Sequence, residues 1–405
     1  MERSARRVAT DRPRTAQLHE RQISWFAFGL MASVTFVGIL SELVPSGVLP
    51  QMTDGLGVSE SQVGFLVGVY ALASAVCAIP LVSATLAVNR KKLLLALLAG
   101  FAVSNIAVAL SSSYAVVVAC RILGGICAGV MWPMIAAYGT SLVPEDMHGK
   151  AITVIMSGNT LGISIGLPVM TTIGITFGWR TEFMVLGLIV AAIAVLSYFV
   201  LPPVEGEKLT RSNSPWAVLK KPSILVILLL TFLSVAAHYG AYTYITLLVE
   251  LISFTGGIGL AMLIFGIGSV ISVVVSAKYI DAYLRPLIVS MLATGGISMA
   301  MLLAFRGTIG LSHFAFFLWG LAFGPLVTMY QTAVSKQVEE AKGVATSVQS
   351  SVFNFSIMVA TWLGGLLLTS FPGRAGARGI VYLSLISFIA AIIIAFFAKR
   401  TLRSS

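Results

Sequence analysis

Runs of about twenty consecutive apolar residues recur along this chain. As a helix rising 1.5 Å per residue, each is long enough to cross the roughly 30 Å hydrocarbon core of a bilayer. In lipid, backbone N–H and C=O groups must find partners within the protein, which restricts such a chain to a few architectures. Read with a hydropathy window, the runs fall at 24–49, 61–87, 92–111, 114–141, 148–177, 182–201, 223–252, 257–277, 286–305, 309–335, 342–371 and 377–398. The expected fold is therefore an all-α integral membrane protein of twelve transmembrane helices. Only 10% of the 405 residues are charged and 58% are hydrophobic, whereas a soluble domain carries roughly a quarter charged residues. The mean hydropathy is +0.96, and a soluble protein with that surface would aggregate. Several runs exceed the minimum length and contain Pro45, Pro80, Pro133, Pro168 or Pro325, so tilted or kinked helices are expected.

The basic residues orient the spans. Residues 1–22 are polar and carry Arg3, Arg6, Arg7, Arg12, Arg14 and Arg21. The run that follows is too long for a signal-peptide core and lacks a small-residue cleavage site, so it reads as the first span behind a basic tail. With that tail inside, 21 of the 26 Lys and Arg residues fall in cytoplasmic segments. Four (Arg180, Arg306, Arg374, Arg378) fall outside, and Arg121 lies within the fourth span. The positive-inside rule then places both termini (1–22 and 401–405) in the cytoplasm. The net charge of +11 follows from topology and does not point to nucleic acid. Cys77, Cys120 and Cys127 sit in apolar runs and read as small core residues.

The longest polar interruption, 202–222, holds Pro, Gly, Ser and charges and reads as a linker. It divides the spans into two bundles of six, 23–201 and 223–400. Weak self-similarity at an offset of about 195 pairs Gly64 with Gly259, Arg90 with Arg285 and Gly129 with Gly324; Glu145-Asp146-Met147-His148-Gly149 pairs with Glu339-Glu340-Ala341-Lys342-Gly343. Two pseudo-symmetric six-helix repeats are a transporter architecture.

Particular motifs carry a resemblance. Asn89-Arg90-Lys91-Lys92-Leu93 joins the second and third spans, and Ala277-Lys278-Tyr279-Ile280-Asp281 with Arg285 occupies the equivalent place in the second half. Arg121-Ile-Leu-Gly124-Gly125 lies in the fourth span, and Gly158, Gly162 and Gly166 followed by Pro168 in the fifth. Gly178-Trp179-Arg180-Thr181-Glu182-Phe183 opens the sixth. The first span carries Ser41-Glu42-Leu43-Val44-Pro45, and the seventh carries His238-Tyr239-Gly240-Ala241-Tyr242-Thr243-Tyr244-Ile245. Together these resemble the major facilitator superfamily and, within it, the twelve-helix drug:proton antiporters of the sugar-efflux and arabinose-efflux-like branch. The departures are Leu86 and Asn89, where an aspartate and a glycine are usual, and Gly166-Leu167-Pro168 in place of Gly-Pro.

The resemblance implies that Arg90, Lys91, Asp281 and Arg285 belong to a conformational latch between the halves. The competing reading of Arg90 and Lys91 is plain positive-inside charge. Arg121 within lipid needs a partner inside the bundle. It reads as a proton-coupling or substrate-positioning charge, or else as a structural arginine bonded to carbonyls. By residue count Glu42 and Arg121 both lie roughly 10–12 Å below the outer surface, so they are expected to pair. Burial and a neighbouring guanidinium act in opposite senses on a carboxylate's hold on its proton, which suits a proton-coupling site. The other reading of Glu42 is a solvated helix-end residue beside Pro45. The three glycines of the fifth span share one face, for antiport by resemblance or for close packing alone.

His238 lies near the midplane and can bind substrate or carry a proton, or be a hydrogen-bonded interhelical histidine. With Tyr239 and Tyr242 it offers flat faces and polar tips suited to sugars or aromatic drugs. The resemblance, in which spans 1, 4, 7 and 10 line a central cavity, adds Trp132, Tyr330 and Gln331, with Asn159 and Asn354 behind them. No Walker loop, metal-ligand spacing, cofactor motif or soluble catalytic domain is visible. The chain is expected to be no enzyme but a secondary transporter in a bacterial inner membrane, a monomer by resemblance. It would export a sugar, drug or metabolite in exchange for protons, with import or uniport on the same fold as the alternative.

Overall fold

The computed structural model describes residues 25–144, 147–206, 219–305, 308–338, 342–371, 373–398 and 402. The basic tail at 1–22, linker residues 207–218, the acidic pairs at 145–146 and 339–340, and 401–405 apart from Leu402 lie outside the described residues, as does the side chain of Asp281. The helices are α1 (Trp25–Gly47), α2 (Leu49–Leu56), α3 (Glu60–Thr85), α4 (Arg90–Leu110), α5 (Tyr114–Thr140) and α6 (His148–Leu161). A π-turn at Gly162–Gly166 leads into α7 (Leu167–Phe177), followed by α8 (Trp179–Val200), α9 (Pro222–Tyr242), α10 (Ile245–Leu251) and α11 (Gly257–Ala304). The chain continues through α12 (Leu311–Phe323), α13 (Leu326–Ser335), α14 (Lys342–Ser370) and α15 (Arg374–Phe397). Among the described residues these elements make 12 spans long and apolar enough to cross a membrane.

Local chemistry sets the boundaries. Ser59 and Gln62 form a reciprocal capping box that opens α3, with Ser59 N–H donating to Gln62 Oε1 at 2.9 Å and Gln62 N–H to Ser59 Oγ at 3.2 Å. The Asn89 side chain caps α4 by accepting from the N–H groups of Lys91 and Lys92. The residue departing from the usual motif is thus the one that starts the third span. Two expectations change. The segment 278–285 does not separate two helices as a loop: helix runs through it, and the eighth and ninth spans meet at a kink where Tyr283 alone leaves helical geometry (φ −130°, ψ 34°). The first and seventh spans are each broken near one end, at Val48 (φ −125°, ψ 30°) and at Thr243–Tyr244.

Each half repeats one packing scheme. In the first, α1 lies on α6 and α8, α3 on α5, and α4 on α8; in the second, α9 lies on α14 and α15, and α11 on α12 and α15. Outward-facing side chains are large and apolar: Phe199 is 76% exposed and Phe397 78%. That is a lipid-facing surface, since water would make it aggregate.

The halves touch each other toward the end of the molecule that carries α2, opposite the end with the basic loops. There α3 meets α14, α7 and the π-turn meet α11, and α1 meets α10. Ser164 Oγ donates to the Gly266 carbonyl at 3.1 Å and Thr171 Oγ1 to Met262 Sδ at 3.5 Å. The Tyr244 ring is wedged between Gly64 of α3 and Gly364 of α14, leaving no room for a methyl group at either glycine. Residues 37–49 of the first span and 237–249 of the seventh are buried without interruption. Nearer the basic end burial becomes periodic, and Gly29 faces open space.

Candidate functional site

The sealed part of the first half encloses a polar knot built on Arg121. This side chain is 1% exposed. Its Nε donates to the Leu66 carbonyl of α3 at 3.2 Å, one Nη to the Ser41 carbonyl, and the other to the Glu42 backbone carbonyl of α1 at 2.7 Å. The guanidinium lies 4.3 Å from the centre of the Tyr70 ring, a cation–π contact. Gly125 lets the Tyr70 backbone of α3 approach α5 closely enough for that contact. Ser41 Oγ accepts from Asn105 Nδ2 of α4 at 3.1 Å.

The expected pairing of Glu42 with Arg121 is therefore corrected in kind: the guanidinium holds the backbone carbonyl of Glu42, not its carboxylate. Carbonyls win because they converge from two helices on a planar, five-donor fork. The Glu42 side chain is 4% exposed, and its Oε1 is buried without a hydrogen-bond partner. The carboxylate still lies within electrostatic reach of Arg121, Tyr70 and, across the junction between the halves, Tyr239.

His238 occupies the corresponding sealed region of the second half. Its ring stacks on Phe323 at 3.6 Å between centroids and 9° between planes, with Tyr242 at 5.0 Å and Phe265 and Trp319 at 5.5 Å. Tyr239 bridges the cluster to Phe323 and to Phe353 of α14. His238 Nδ1, Tyr242 Oη and Trp319 Nε1 are buried without partners. The hydrogen-bonded interhelical reading of His238 does not describe this ring, which sits in an aromatic cage. Phe265, Trp319, Phe323, Tyr70 and Asn105 were not singled out from the sequence. A lone asparagine in an apolar span signals Asn105, but the aromatics are indistinguishable from core.

Toward the basic end an open cavity of about 500 Å³ is lined by Thr328, Gln331, Thr332, Ser335, Lys336, Val338 and Thr346. Of the expected contact residues, Gln331 lies in this wall. Tyr330, its neighbour, is buried and turned to α9, where its hydroxyl meets Ser234 Oγ at 2.7 Å. Trp132 is half-buried against Gly38 of α1. Asn159 is half-buried, and Asn354 donates to the Ser350 carbonyl of its own helix at 3.0 Å. Gly158, Gly162 and Gly166 all face α1, and the Thr35 hydroxyl of α1 donates to the Ile155 carbonyl at 2.6 Å.

Three of the expected latch residues, Arg90, Lys91 and Arg285, have contacts within their own half or with the linker. Arg90 is buried, and its backbone N–H donates to Val204 of the linker at 2.8 Å. Asn89 Nδ2 donates to Glu205 Oε1 at 3.2 Å. Lys91 sits 5.3 Å from the Tyr198 ring centre, and Arg285 donates to the Phe396 carbonyl of α15 at 2.8 Å.

The family model of the Major Facilitator Superfamily matches residues 31–361. The chain belongs to the Major Facilitator Superfamily. It is 27% identical over 353 residues to a "Probable sugar efflux transporter" of Mannheimia succiniciproducens, covering 86% of this chain and 88% of the relative. Among solved structures it resembles a bacterial homologue of the lysosomal transporter Spinster, crystallised inward-facing and unoccupied. That match has a TM-score of 0.73 and 14% identity, covering 94% and 98% of the two chains. It also resembles a mutant of the nucleoside transporter NupG, with a TM-score of 0.74 and 13% identity over 93% and 99%. The fold is thus the two-bundle fold of this superfamily, and the protein is a membrane transporter of small molecules, not an enzyme.

Proposed function

We propose that this superfamily member exports a neutral polar or weakly basic small molecule, of the sugar class, in exchange for protons by alternating access. The observation carrying this reading is the meeting of two unlike sites at the junction of the halves. Glu42, a buried carboxylate with an unpartnered oxygen, lies within electrostatic reach of Tyr239 at the edge of the His238 cage. Aromatic faces and unpartnered polar tips suit a ring that carries hydroxyls, and a site with so few charges disfavours a multiply charged substrate. The sugar-efflux relative supports the same class.

With the basic end in the cytoplasm, as the positive-inside rule requires, the cavity is open inward and the end with α2 is closed. In the cycle, substrate enters beside Gln331 and moves to the cage. The halves then rock, substrate leaves outward, and Glu42 takes a proton back. Arg121 holds α1 and α3 so that the carboxylate stays aimed at the junction. The bonds of Arg121 to carbonyls specifically favour a second reading, a facilitator in which this knot is structural.

Reconstitution in liposomes under an imposed pH gradient separates the two. Lumenal proton movement that appears only with an added sugar, and is lost in Glu42→Gln, is expected. Sugar flux without proton movement in the wild type would establish the facilitator.

A further inference from the structure

One buried acid remains outside this scheme. Glu182, in the first turn of α8, is 0% exposed, and neither of its carboxylate oxygens has a hydrogen-bond partner. The carboxyl is nested between Gly174 of α7, where a Cβ would lie 3.0 Å from Glu182 Cδ, and Val48 at the α1–α2 break. Trp179, one turn earlier in the chain, stands edge-on to Phe183 and packs on Gly55 of α2.

Charged groups on the surrounding elements are engaged elsewhere or remote. Arg180 turns to the rim, with its guanidinium 4.2 Å from the Trp179 ring centre and donating to the Gly55 and Ser111 carbonyls. Helix α7 has no titratable residue. On α4 the charged residues, Arg90, Lys91 and Lys92, lie at the opposite, basic end. On α1 the acid is Glu42, and on α2 it is Asp54; neither donates to Glu182.

A bare carboxylate enclosed in this way is strongly disfavoured unless it takes up a proton, and an acid within a membrane span is a functional group by default. A purely structural residue here would be an apolar one. Its cover, moreover, is the element best placed to move. Val48 is the non-helical residue where α1 gives way to α2, and α1 carries Glu42 in its last turns. Any tilt of α2 that opens this end shifts Val48 beside the carboxyl and Gly55 against Trp179, and with them the Glu42 backbone held by Arg121.

We propose that Glu182 is a second proton-binding site of the transport cycle, loaded when the α2 end opens to water and enclosed when it seals. The proposal rests on the alternating-access reading above, but its test does not require transport. Infrared difference spectra of the purified protein in lipid nanodiscs, recorded across a pH titration, follow the carbonyl stretch of protonated carboxyls. The wild type is expected to show two such contributions from buried acids. Glu182→Gln removes one and keeps the other; Glu42→Gln removes the other; Glu182→Asp restores a shifted band. In liposomes, Glu182→Gln should lower the protons moved per substrate by about half, and Glu182→Asp should restore them. An infrared titration of Glu182→Gln identical to the wild type overturns the proposal, because the carboxyl then never exchanges its proton. Loss of the Glu42 band with the Glu182 band intact leaves the two assignments separate, so failure of one is not failure of the other.

Discussion

Arg121 spends its donors on backbone, and this decides what its removal does. Three carbonyls from two helices, those of Ser41, Glu42 and Leu66, converge on one guanidinium. Arg121→Ala leaves the Ser41 carbonyl, whose helical donor position is occupied by Pro45, buried without a donor, and strips a second donor from the Glu42 and Leu66 carbonyls, which costs about 1–3 kcal/mol. A fall in thermal midpoint in detergent is the expected result. Arg121→Lys keeps the charge but supplies a point donor where a fork is needed, so it should recover part of the midpoint without recovering coupled transport. Glu42→Gln is different in kind. The Arg121 bond is to the backbone, so the fold should be unaffected while uphill export stops and substrate binding persists. Gln331 and Tyr330 separate by the same logic. Gln331→Ala should raise KM several-fold, whereas Tyr330→Phe should cost about 1 kcal/mol of stability with KM unchanged, since its hydroxyl meets Ser234. Which polar residues matter was readable from their rarity in apolar spans. Helical phase was not, and phase is what separates Gln331 from Tyr330 and turns Asn354 onto its own helix.

At the level of elements, the twelve spans were legible because twenty apolar residues in lipid leave little choice but helix. The breaks were legible only where proline marks them. The Gly324–Pro325 junction between α12 and α13 follows from Pro325. The break at Thr243–Tyr244 has no such marker, and the π-turn Gly162–Gly166 reads in sequence as an ordinary small-residue face. Both arise from tertiary packing: Gly162 and Gly166 admit Ile39 and Phe36 of α1, and Tyr244 is drawn into the gap between Gly64 and Gly364. Its hydroxyl donates to the Thr361 carbonyl at 2.8 Å, fixing the ring in place. A bulky side chain at either glycine must expel that wedge. Gly64→Leu and Gly364→Leu are each expected to unseal the α2 end and shift the population toward the opposite opening. Thiol labelling of Gln331→Cys, in the cavity wall, reads this as slower modification than in the unaltered background. Labelling at an unchanged rate would mean the wedge does not hold the seal.

At the scale of the whole molecule, alternating access requires that α3 and α14 part at the end where they now touch. The sequence signals two repeats, but not which end of their junction is closed, because closure is a free-energy difference of a few kcal/mol between two packings of the same residues. Ser61 and Gly365 face each other across that junction, and a Cβ built on Gly365 lies 3.3 Å from Ser61 Cβ. That separation is slightly shorter than the roughly 3.5–4.5 Å between the Cβ atoms of a disulfide, so a small backbone shift brings the pair into range. In a background lacking Cys77, Cys120 and Cys127, Ser61→Cys combined with Gly365→Cys should therefore cross-link on oxidation. The cross-link holds the α2 end shut while leaving the cavity beside Gln331 open. Transport should stop on oxidation and return on reduction, and substrate binding from the basic side should survive both treatments. The binding arm matters because a cross-link that merely damaged the fold would abolish binding as well. Continued transport by fully cross-linked protein would mean that these two faces never separate, and that the halves do not rock about the site between Glu42 and His238.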